Sequence, residues 1–128
     1  MSDAIPNDRR FGPTHEWVMN QGKTLRLGVT AAGQAMLGDV VFVQLPEVGA
    51  AVNQGAACAT LESVKAASDV LSPVDGMVAS VNSALVDSPE LINDAPWDDG
   101  WILEITPTGP LAEWQDAEQY QHTLDQGA

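Results

Sequence analysis

The sequence has few basic residues. Five lysines and arginines stand against 18 aspartates and glutamates, which gives a formal net charge of −13. A chain this acidic repels nucleic-acid phosphates and anionic membrane surfaces, so the charge argues against both as partners. No apolar run is long enough to cross a bilayer as a helix. The same acidity favours solubility or attraction to basic patches on other proteins, and net charge alone leaves both interpretations open.

Cysteine is nearly absent. Cys58 is the only one, which excludes an internal disulfide and is compatible with a reducing compartment. It lies in an apolar stretch, where a small buried side chain is more typical than a nucleophile. The two histidines, His15 and His122, are far apart, and no metal-site spacing or Gly-rich phosphate loop occurs. We therefore predict a non-catalytic protein without a metal site.

The N-terminal residues lack the features of a targeting segment. They contain acids but no apolar block, and they are not the Arg- and Ser-rich sequence of a transit peptide. We therefore expect a cytoplasmic, bacterial-type chain. Residues 1–10 are predicted to form a flexible lead-in, and residues 11–128 a single domain of ordinary size.

Aromatic residues are also few, so the core has to be built mainly from Val, Leu, Ile and Ala. Eleven glycines and eight prolines divide the chain into short elements, which favours strands and turns over long helices. The fold class predicted is mainly β, a small barrel or sandwich with short helices and a C-terminal helical segment. Strands are predicted at residues 24–30, 40–45, 51–54, 56–61, 67–71, 77–81 and 101–105.

Capping signals mark the predicted helices. Thr30 is a candidate N-cap for a two-turn helix ending at Leu37, with Gly38 in a left-handed conformation after it. A further short helix is predicted near residues 89–91. Residues 111–124 are predicted to be helical with one break, and Asp116 with Gln119 three positions later matches a capping box.

Lys65 is one of only two lysines, and it lies between two β-rich stretches. The link at residues 63–66 is short enough for a hairpin turn, which would project the lysine away from the sheet. Small neighbouring side chains would leave its amine accessible to a modifying enzyme. Exposed lysines are common, so the spacing alone favours a solubilising charge over a functional group.

Several sequence blocks resemble one known family, the glycine cleavage H proteins. Residues 62–69 (ESVKAASD) resemble the family's lipoylation motif, and residues 14–18 (THEWV) its N-terminal segment. Residues 37–43 and 45–49 resemble its central strand and turn, while residues 82–93 and 100–101 match its later half. The blocks follow the family order from about Phe11 to Tyr120, which is far more specific than one lysine motif.

The resemblance implies a lipoyl-domain-like barrel-sandwich hybrid with lipoate joined to Lys65 by an amide. It implies a carrier protein of glycine catabolism and one-carbon metabolism that performs aminomethyl transfer. The carrier takes an aminomethyl group from a pyridoxal-phosphate glycine decarboxylase, the P protein. It delivers the group to a tetrahydrofolate-dependent aminomethyltransferase, the T protein. Dihydrolipoamide dehydrogenase, the L protein, reoxidises the arm, and lipoyl-attaching enzymes are further partners of what we expect to be a monomer.

The resemblance also implies that the loaded arm folds back into a sheltered cleft. The cationic amine of the cargo would favour carboxylates and hydroxyls, and the family pattern places such groups at Thr14, Glu16 and Asp69. Ordinary solvated acids are the alternative for Glu16 and Asp69.

Three other functions compete with this one. A lipoyl or biotinyl domain of a larger complex usually has Met on both sides of the lysine or Asp before it, whereas Val64 and Ala66 flank Lys65 here. An H-like relay protein that donates lipoyl groups to other enzymes stays open. So does an unmodified protein-binding module.

Overall fold

The computed structural model describes residues 5–126, which form two antiparallel sheets and four short helices. The larger sheet has the strand order β1-β2-β3-β9-β8-β5, and the smaller has the order β4-β6-β7. The strands are β1 Arg10–Phe11, β2 Glu16–Asn20, β3 Leu25–Val29, β4 Val40–Gln44, β5 Ala51–Val52, β6 Ala57–Ser63, β7 Ala67–Leu71, β8 Gly76–Val81 and β9 Leu103–Pro107. The helices are α1 Ala31–Leu37, α2 Ala84–Asp87, α3 Leu91–Asp94 and α4 Ala117–Asp125.

The main core is aliphatic and takes side chains from both sheets. Leu27, Leu103 and Ile105 from the larger sheet belong to the same buried cluster as Leu61 and Val70 from the smaller one. In β3 and β9, apolar residues at alternate positions supply this core, as the sequence pattern predicts. The predicted fold class, mainly β with short helices and a C-terminal helix, is confirmed. Among residues 5–126, no helix is both long enough and apolar enough to cross a membrane.

Helix α1 begins as predicted and ends differently. The Thr30 hydroxyl accepts a hydrogen bond from the Gly33 backbone N–H at 2.9 Å, so Thr30 is the N-cap. Gly38 has φ 88° as expected of a residue after a helix, but its ψ of −164° lies outside the left-handed helical region. This extended conformation leads directly into β4, which starts two residues later. Glycine is suited to it because a positive φ is costly for other residues.

The C-terminal helix is shorter than predicted. Helix α4 starts at Ala117, where Asp116 and Gln119 form the predicted capping box. The preceding residues are not helical, because Gln115 exchanges backbone hydrogen bonds of 2.8 and 2.9 Å with Phe11. Those bonds use the amide and carbonyl that a helix would need. The prediction of helix from residue 111 was therefore wrong, whereas the prediction of a capped helix near the C-terminus is confirmed.

A second, aromatic cluster fastens the N-terminal strand and α4 to the larger sheet. Phe11, Trp17 and Tyr120 are all buried there, and Phe11 stacks on Tyr120 with 4.8 Å between ring centroids. The Arg9 guanidinium lies 4.6 Å from the Trp17 ring and donates a hydrogen bond to the Trp97 carbonyl. The boundary predicted at residue 10 thus falls within packed structure. The ends of the predicted lead-in and domain, residues 1–4 and 127–128, lie outside the described residues.

Candidate functional site

The predicted hairpin around Lys65 is confirmed as the connection between β6 and β7. The Ser63 backbone N–H donates to the Ala66 carbonyl at 2.8 Å and closes the turn. The Ser63 hydroxyl oxygen accepts from the backbone N–H groups of Lys65 and Ala66, both at 3.1 Å. At the tip, the Val64 N–H also donates to the Asp39 carbonyl. These bonds hold the tip in one conformation, with Lys65 exposed.

The Lys65 side chain lies along the C-terminal end of α1. Its ammonium Nζ donates to the Met36 carbonyl at 3.4 Å. A cation is favoured there, because the last carbonyls of a helix carry partial negative charge. A Cβ added at Gly38 would lie only 3.0 Å from Lys65 Cε, so glycine leaves the space through which the side chain passes. The structure therefore directs Lys65 across α1 instead of straight into solvent.

A cleft of about 260 Å³ opens beside this side chain. Helix α1 contributes Gly33, Met36 and Leu37 to one wall, and residues 66–70 of the hairpin contribute another. Residues 14–15 complete the rim. Because Met36 both contacts Lys65 Nζ and lines the cleft, the end of the lysine side chain lies beside the cleft.

The three residues expected to dock the cargo occupy two different settings. Thr14 and Asp69 are exposed and line the cleft, and Asp69 accepts a 3.2 Å hydrogen bond from the Thr60 hydroxyl. Glu16 is only 1% exposed and lies outside the cleft lining. Its carboxylate accepts from the Thr14 hydroxyl and from the Leu71 backbone N–H at 3.0 Å. Glu16 therefore does not line the cleft. It holds two segments of the cleft wall in place by hydrogen bonds to Thr14 and to the end of β7.

A buried polar chain that the sequence did not reveal joins both sides of the cleft to α4. The Tyr120 hydroxyl lies 2.6 Å from His15 Nδ1 and 2.7 Å from the Thr30 hydroxyl. Thr30 in turn donates its backbone N–H to the His15 carbonyl at 2.9 Å. The helix-cap signal identified Thr30, but no local signal connects residues 15 and 120.

Burial changes the pKa values of two side chains, His15 in this polar chain and Cys58 in the core. Burial lowers the pKa of His15 below its ordinary value of 6.5, with an opposing contribution from Glu16. A neutral imidazole is the form favoured at neutral pH. Burial also raises the pKa of the Cys58 thiol to about 12. The Cys58 Sγ donates to the Val70 carbonyl at 3.4 Å, as a small core side chain would. Within residues 5–126, no three His, Cys, Asp or Glu side chains are grouped as metal ligands would be.

Comparison with known proteins identifies the family. The family model described as "Glycine cleavage H-protein" matches residues 9–127. The chain is 48% identical over 126 residues to a glycine cleavage system H protein of Thermus thermophilus, covering 97% of this chain and 98% of that protein. It is 47% identical over 126 residues to the protein of the same name from Shewanella denitrificans, covering 96% and 98%.

The structural comparison agrees with the sequence comparison. The crystal structure of a glycine cleavage system H protein from Mycobacterium marinum superimposes with a TM-score of 0.88 at 37% identity. The match covers 94% of this chain and 99% of that one, which confirms the predicted lipoyl-domain-like architecture. Sequence and structure lead to the same conclusion: the chain belongs to the glycine cleavage H-protein family.

Proposed function

We propose that this chain is the lipoyl carrier of the glycine cleavage system, with lipoate attached to Lys65. One observation carries the proposal: the sole lysine of the family-like motif lies exposed at a hairpin tip, and its Nζ contacts Met36, a residue that lines the neighbouring cleft. The chain itself acts as a non-catalytic subunit, because its part is to hold and present the arm while other proteins perform the chemistry.

The surroundings of Lys65 fit an acylated lysine. Acylation removes the positive charge but leaves one N–H on Nζ, which can still donate to the Met36 carbonyl. The Gly38 gap leaves space for the lysine stem. The adjoining cleft combines apolar side chains such as Leu61 and Val70 with polar groups at its rim, which suits an aliphatic arm with a charged cargo. When attached, the dithiolane of lipoate supplies the sulfur that carries the aminomethyl group.

We propose that Thr14 and Asp69 receive the cationic amine of that cargo. Both are exposed on the cleft lining, and Asp69 is an acceptor for an ammonium group. The Thr14 hydroxyl donates its proton to the Glu16 carboxylate, so its oxygen keeps lone pairs for a second donor. In this arrangement Glu16 acts through Thr14 and by anchoring the end of β7.

The partners proposed are the P, T and L proteins and a lipoyl-attaching enzyme. The family membership supports the first three, because the relatives are named as components of the glycine cleavage system. All of them have to work in turn on Lys65 or on the one arm that it carries, so each contact is expected to be transient. We further propose a cytoplasmic monomer, and light scattering at assay concentration tests the oligomeric state.

Intact-mass measurement tests the attachment site. The chain has two lysines, so Lys23→Arg is a matched control for Lys65→Arg. After expression with a lipoyl-attaching enzyme and lipoate, the wild type and Lys23→Arg should each gain the mass of one lipoyl group. Lys65→Arg should gain none. A lipoyl group on Lys65→Arg, or its absence from the wild type, would contradict the proposal.

Glycine–bicarbonate exchange separates the carrier from a lipoate relay. Lipoylated protein mixed with glycine decarboxylase should support the exchange, and Lys65→Arg should not. A pure relay protein would accept lipoate and pass it to other enzymes yet fail in this assay. Failure of the lipoylated wild type would therefore favour the relay.

The lifetime of the loaded carrier tests the docking residues. Asp69→Asn and Thr14→Val should shorten it, because each removes an acceptor for the amine. Thr14→Ser is the matched control, since it keeps the hydroxyl and should preserve the lifetime. Glu16→Ala should also shorten it by releasing Thr14 and Leu71. Unchanged lifetimes in Asp69→Asn and Thr14→Val would count against the docking proposal.

A further inference from the structure

Four large apolar side chains on the segments next to Lys65 face solvent. Each is between 52% and 69% exposed, whereas the buried apolar core residues are at most 9% exposed. Clustered exposed apolar residues mark interaction surfaces more often than isolated ones do. We call this group the tip patch; its members are Met36, Val41, Phe42 and Val64.

A β-bulge explains why two adjacent members of the patch are both exposed. In a regular strand, successive side chains point to opposite faces, so either Val41 or Phe42 would be buried. The register between β4 and β6 shifts between Val40 and Phe42, and both Val41 and Phe42 face solvent as a result. Bulges commonly re-aim side chains at functional surfaces.

Backbone contacts connect the patch to the modified lysine. Phe42 pairs with Glu62 of β6, three residues before Lys65. The Val64 N–H donates to the Asp39 carbonyl at 3.2 Å, which ties the hairpin tip to the start of β4. Met36 provides the carbonyl that Lys65 Nζ contacts. The patch therefore lies on segments that contact Lys65 or the hairpin that carries it.

Apart from Lys65, the charged residues on the segments that carry the patch are acidic. From residue 27 to the end of the sequence, Lys65 is the only lysine or arginine, whereas 15 of the 18 acids lie in that range. Asp39 and Glu62 are exposed on the same segments as the patch. A partner that fits here therefore offers an apolar depression bordered by lysine or arginine side chains.

We propose that the tip patch docks the lipoyl-attaching enzyme, which presents such a basic-rimmed apolar depression. The inference rests on the proposed function and adds the surface by which the enzyme recognises the chain. The attaching enzyme has to bring its acyl donor to Nζ itself, so its active site lies against the residues that border Lys65. Enzymes that act on the dithiolane instead meet the far end of a long arm.

The step that this docking serves is a simple acyl transfer. The Lys65 amine, after losing a proton to solvent, attacks the carbonyl carbon of a lipoyl adenylate. A C–N bond forms as the C–O bond to AMP breaks, AMP leaves with the electron pair, and the nitrogen loses a second proton to solvent to give the amide. No oxidant or reductant is required. A partner seated on the patch holds the amine and the acyl carbon together for this attack.

Lipoylation kinetics of the full chain test the patch. Unmodified protein is incubated with a lipoate-attaching ligase, lipoate and ATP, and the gain in intact mass is followed with time. Phe42→Ser should lower kcat/KM about tenfold, because aromatic anchors dominate interface energies. Met77→Ser is the control: Met77 is 49% exposed on β8, outside the patch, and the rate should stay within about twofold of wild type. An unchanged rate in Phe42→Ser would overturn the proposal.

A charge variant provides a second test that does not depend on whether Phe42→Ser folds. Asp39→Asn removes one exposed carboxylate and leaves every packed side chain in place. It should slow lipoylation at low salt, with the difference from wild type disappearing at high salt. Lipoylation of Asp39→Asn at the wild-type rate in low salt would overturn the proposal even if Phe42→Ser failed to fold.

A second assay distinguishes the partner. Phe42→Ser that has been driven to full lipoylation should support glycine–bicarbonate exchange at the wild-type rate. If exchange falls while lipoylation is normal, the patch serves the decarboxylase and the proposal is overturned. A wild-type chain that is never lipoylated would overturn the proposed function itself, so the two failures give different results.

Discussion

His15 Nδ1 lies 2.6 Å from the hydroxyl of Tyr120, a residue 105 positions later in the chain. The same hydroxyl bonds Thr30, the N-cap of α1, so one phenol joins the rim of the cleft, the start of α1 and the C-terminal helix. His15 has φ 67°, a left-handed conformation that is uncommon outside glycine. The network thus holds the segment carrying Thr14 in a conformation that it would not readily keep alone.

Tyr120→Phe should weaken this connection while keeping the aromatic packing. The variant leaves His15 Nδ1 and the Thr30 hydroxyl without their shared partner, so we expect the free energy of unfolding to fall by about 1–2 kcal/mol. Urea denaturation measures the change. His122→Gln, an exposed position on the same helix, is the control and should stay within about 0.5 kcal/mol of wild type.

The same substitution should shorten the lifetime of the loaded carrier, because the cleft rim near Thr14 loses a support. A Tyr120→Phe protein with wild-type stability and lifetime would show that the phenol does not position the cleft.

The free energy of unfolding should fall as the pH is lowered, because His15 becomes protonated. Burial lowers the pKa of His15 in the folded chain below the ordinary 6.5 of the unfolded chain. Below that value the unfolded chain binds the proton more readily, so this contribution is complete above about pH 6.5 and is lost as pH falls through the folded-state pKa. Urea denaturation of wild type and His15→Asn across this range measures it. Asparagine tolerates a positive φ, which makes His15→Asn the suitable comparison.

The informative quantity is the difference in the free energy of unfolding between the two proteins, because pH effects common to both cancel. That difference should shrink as the pH is lowered from about 7.5 to about 5. A difference that does not depend on pH would contradict the assignment.

Glu16→Gln should destabilise the fold although it changes only one atom. Oε2 of the buried carboxylate accepts from the Thr14 hydroxyl and the Leu71 N–H, and Oε1 accepts from the Thr14 backbone N–H at 3.3 Å, so in either orientation the amide NH₂ of glutamine faces an N–H donor and cannot accept. We expect a loss of about 1–3 kcal/mol in the free energy of unfolding. Glu113→Gln, at an exposed position, is the matched control and should be nearly neutral. Equal stabilities of the two variants would contradict the supporting role assigned to Glu16.

Cys58 should be inert in the folded protein. Its pKa is raised to about 12 by burial, so almost no reactive thiolate is present at pH 8. A chromogenic disulfide reagent should label the chain slowly without denaturant and one thiol per chain rapidly in concentrated urea. Cys58→Ser provides the blank. Rapid stoichiometric labelling of the native protein would contradict the buried position.

The sequence predicted those features that depend on neighbouring residues. The β7 strand at residues 67–71 was predicted with its observed ends, and the Thr30 cap and the Asp116–Gln119 capping box are present. Prediction failed where distant segments compete for the same groups. Residues 111–115 have helical composition, but backbone bonds between Gln115 and Phe11 replace the helix.

The features of the candidate site also fall into two groups, those that neighbouring residues predict and those that contacts between distant segments create. The hairpin that exposes Lys65 could be predicted, because two short strands joined by a short link have few alternatives. The setting of Glu16 could not, because an acidic residue in a sequence is most often solvated, and only the fold brings the Leu71 N–H against its carboxylate. The exposure of both Val41 and Phe42 could not be predicted either, since it depends on a register shift against β6.

By itself, the sequence determined the strand-rich class, the helix caps, the hairpin at Lys65 and the family. All of these depend on side-chain alternation, backbone capping or ordered motifs, which are local. Tertiary structure alone decided which way the Lys65 side chain runs, that Glu16 holds two segments of the cleft wall in place, and that Tyr120 joins His15 to Thr30. These arrangements join residues up to 105 positions apart, and their energies exist only after both sheets and α4 have packed.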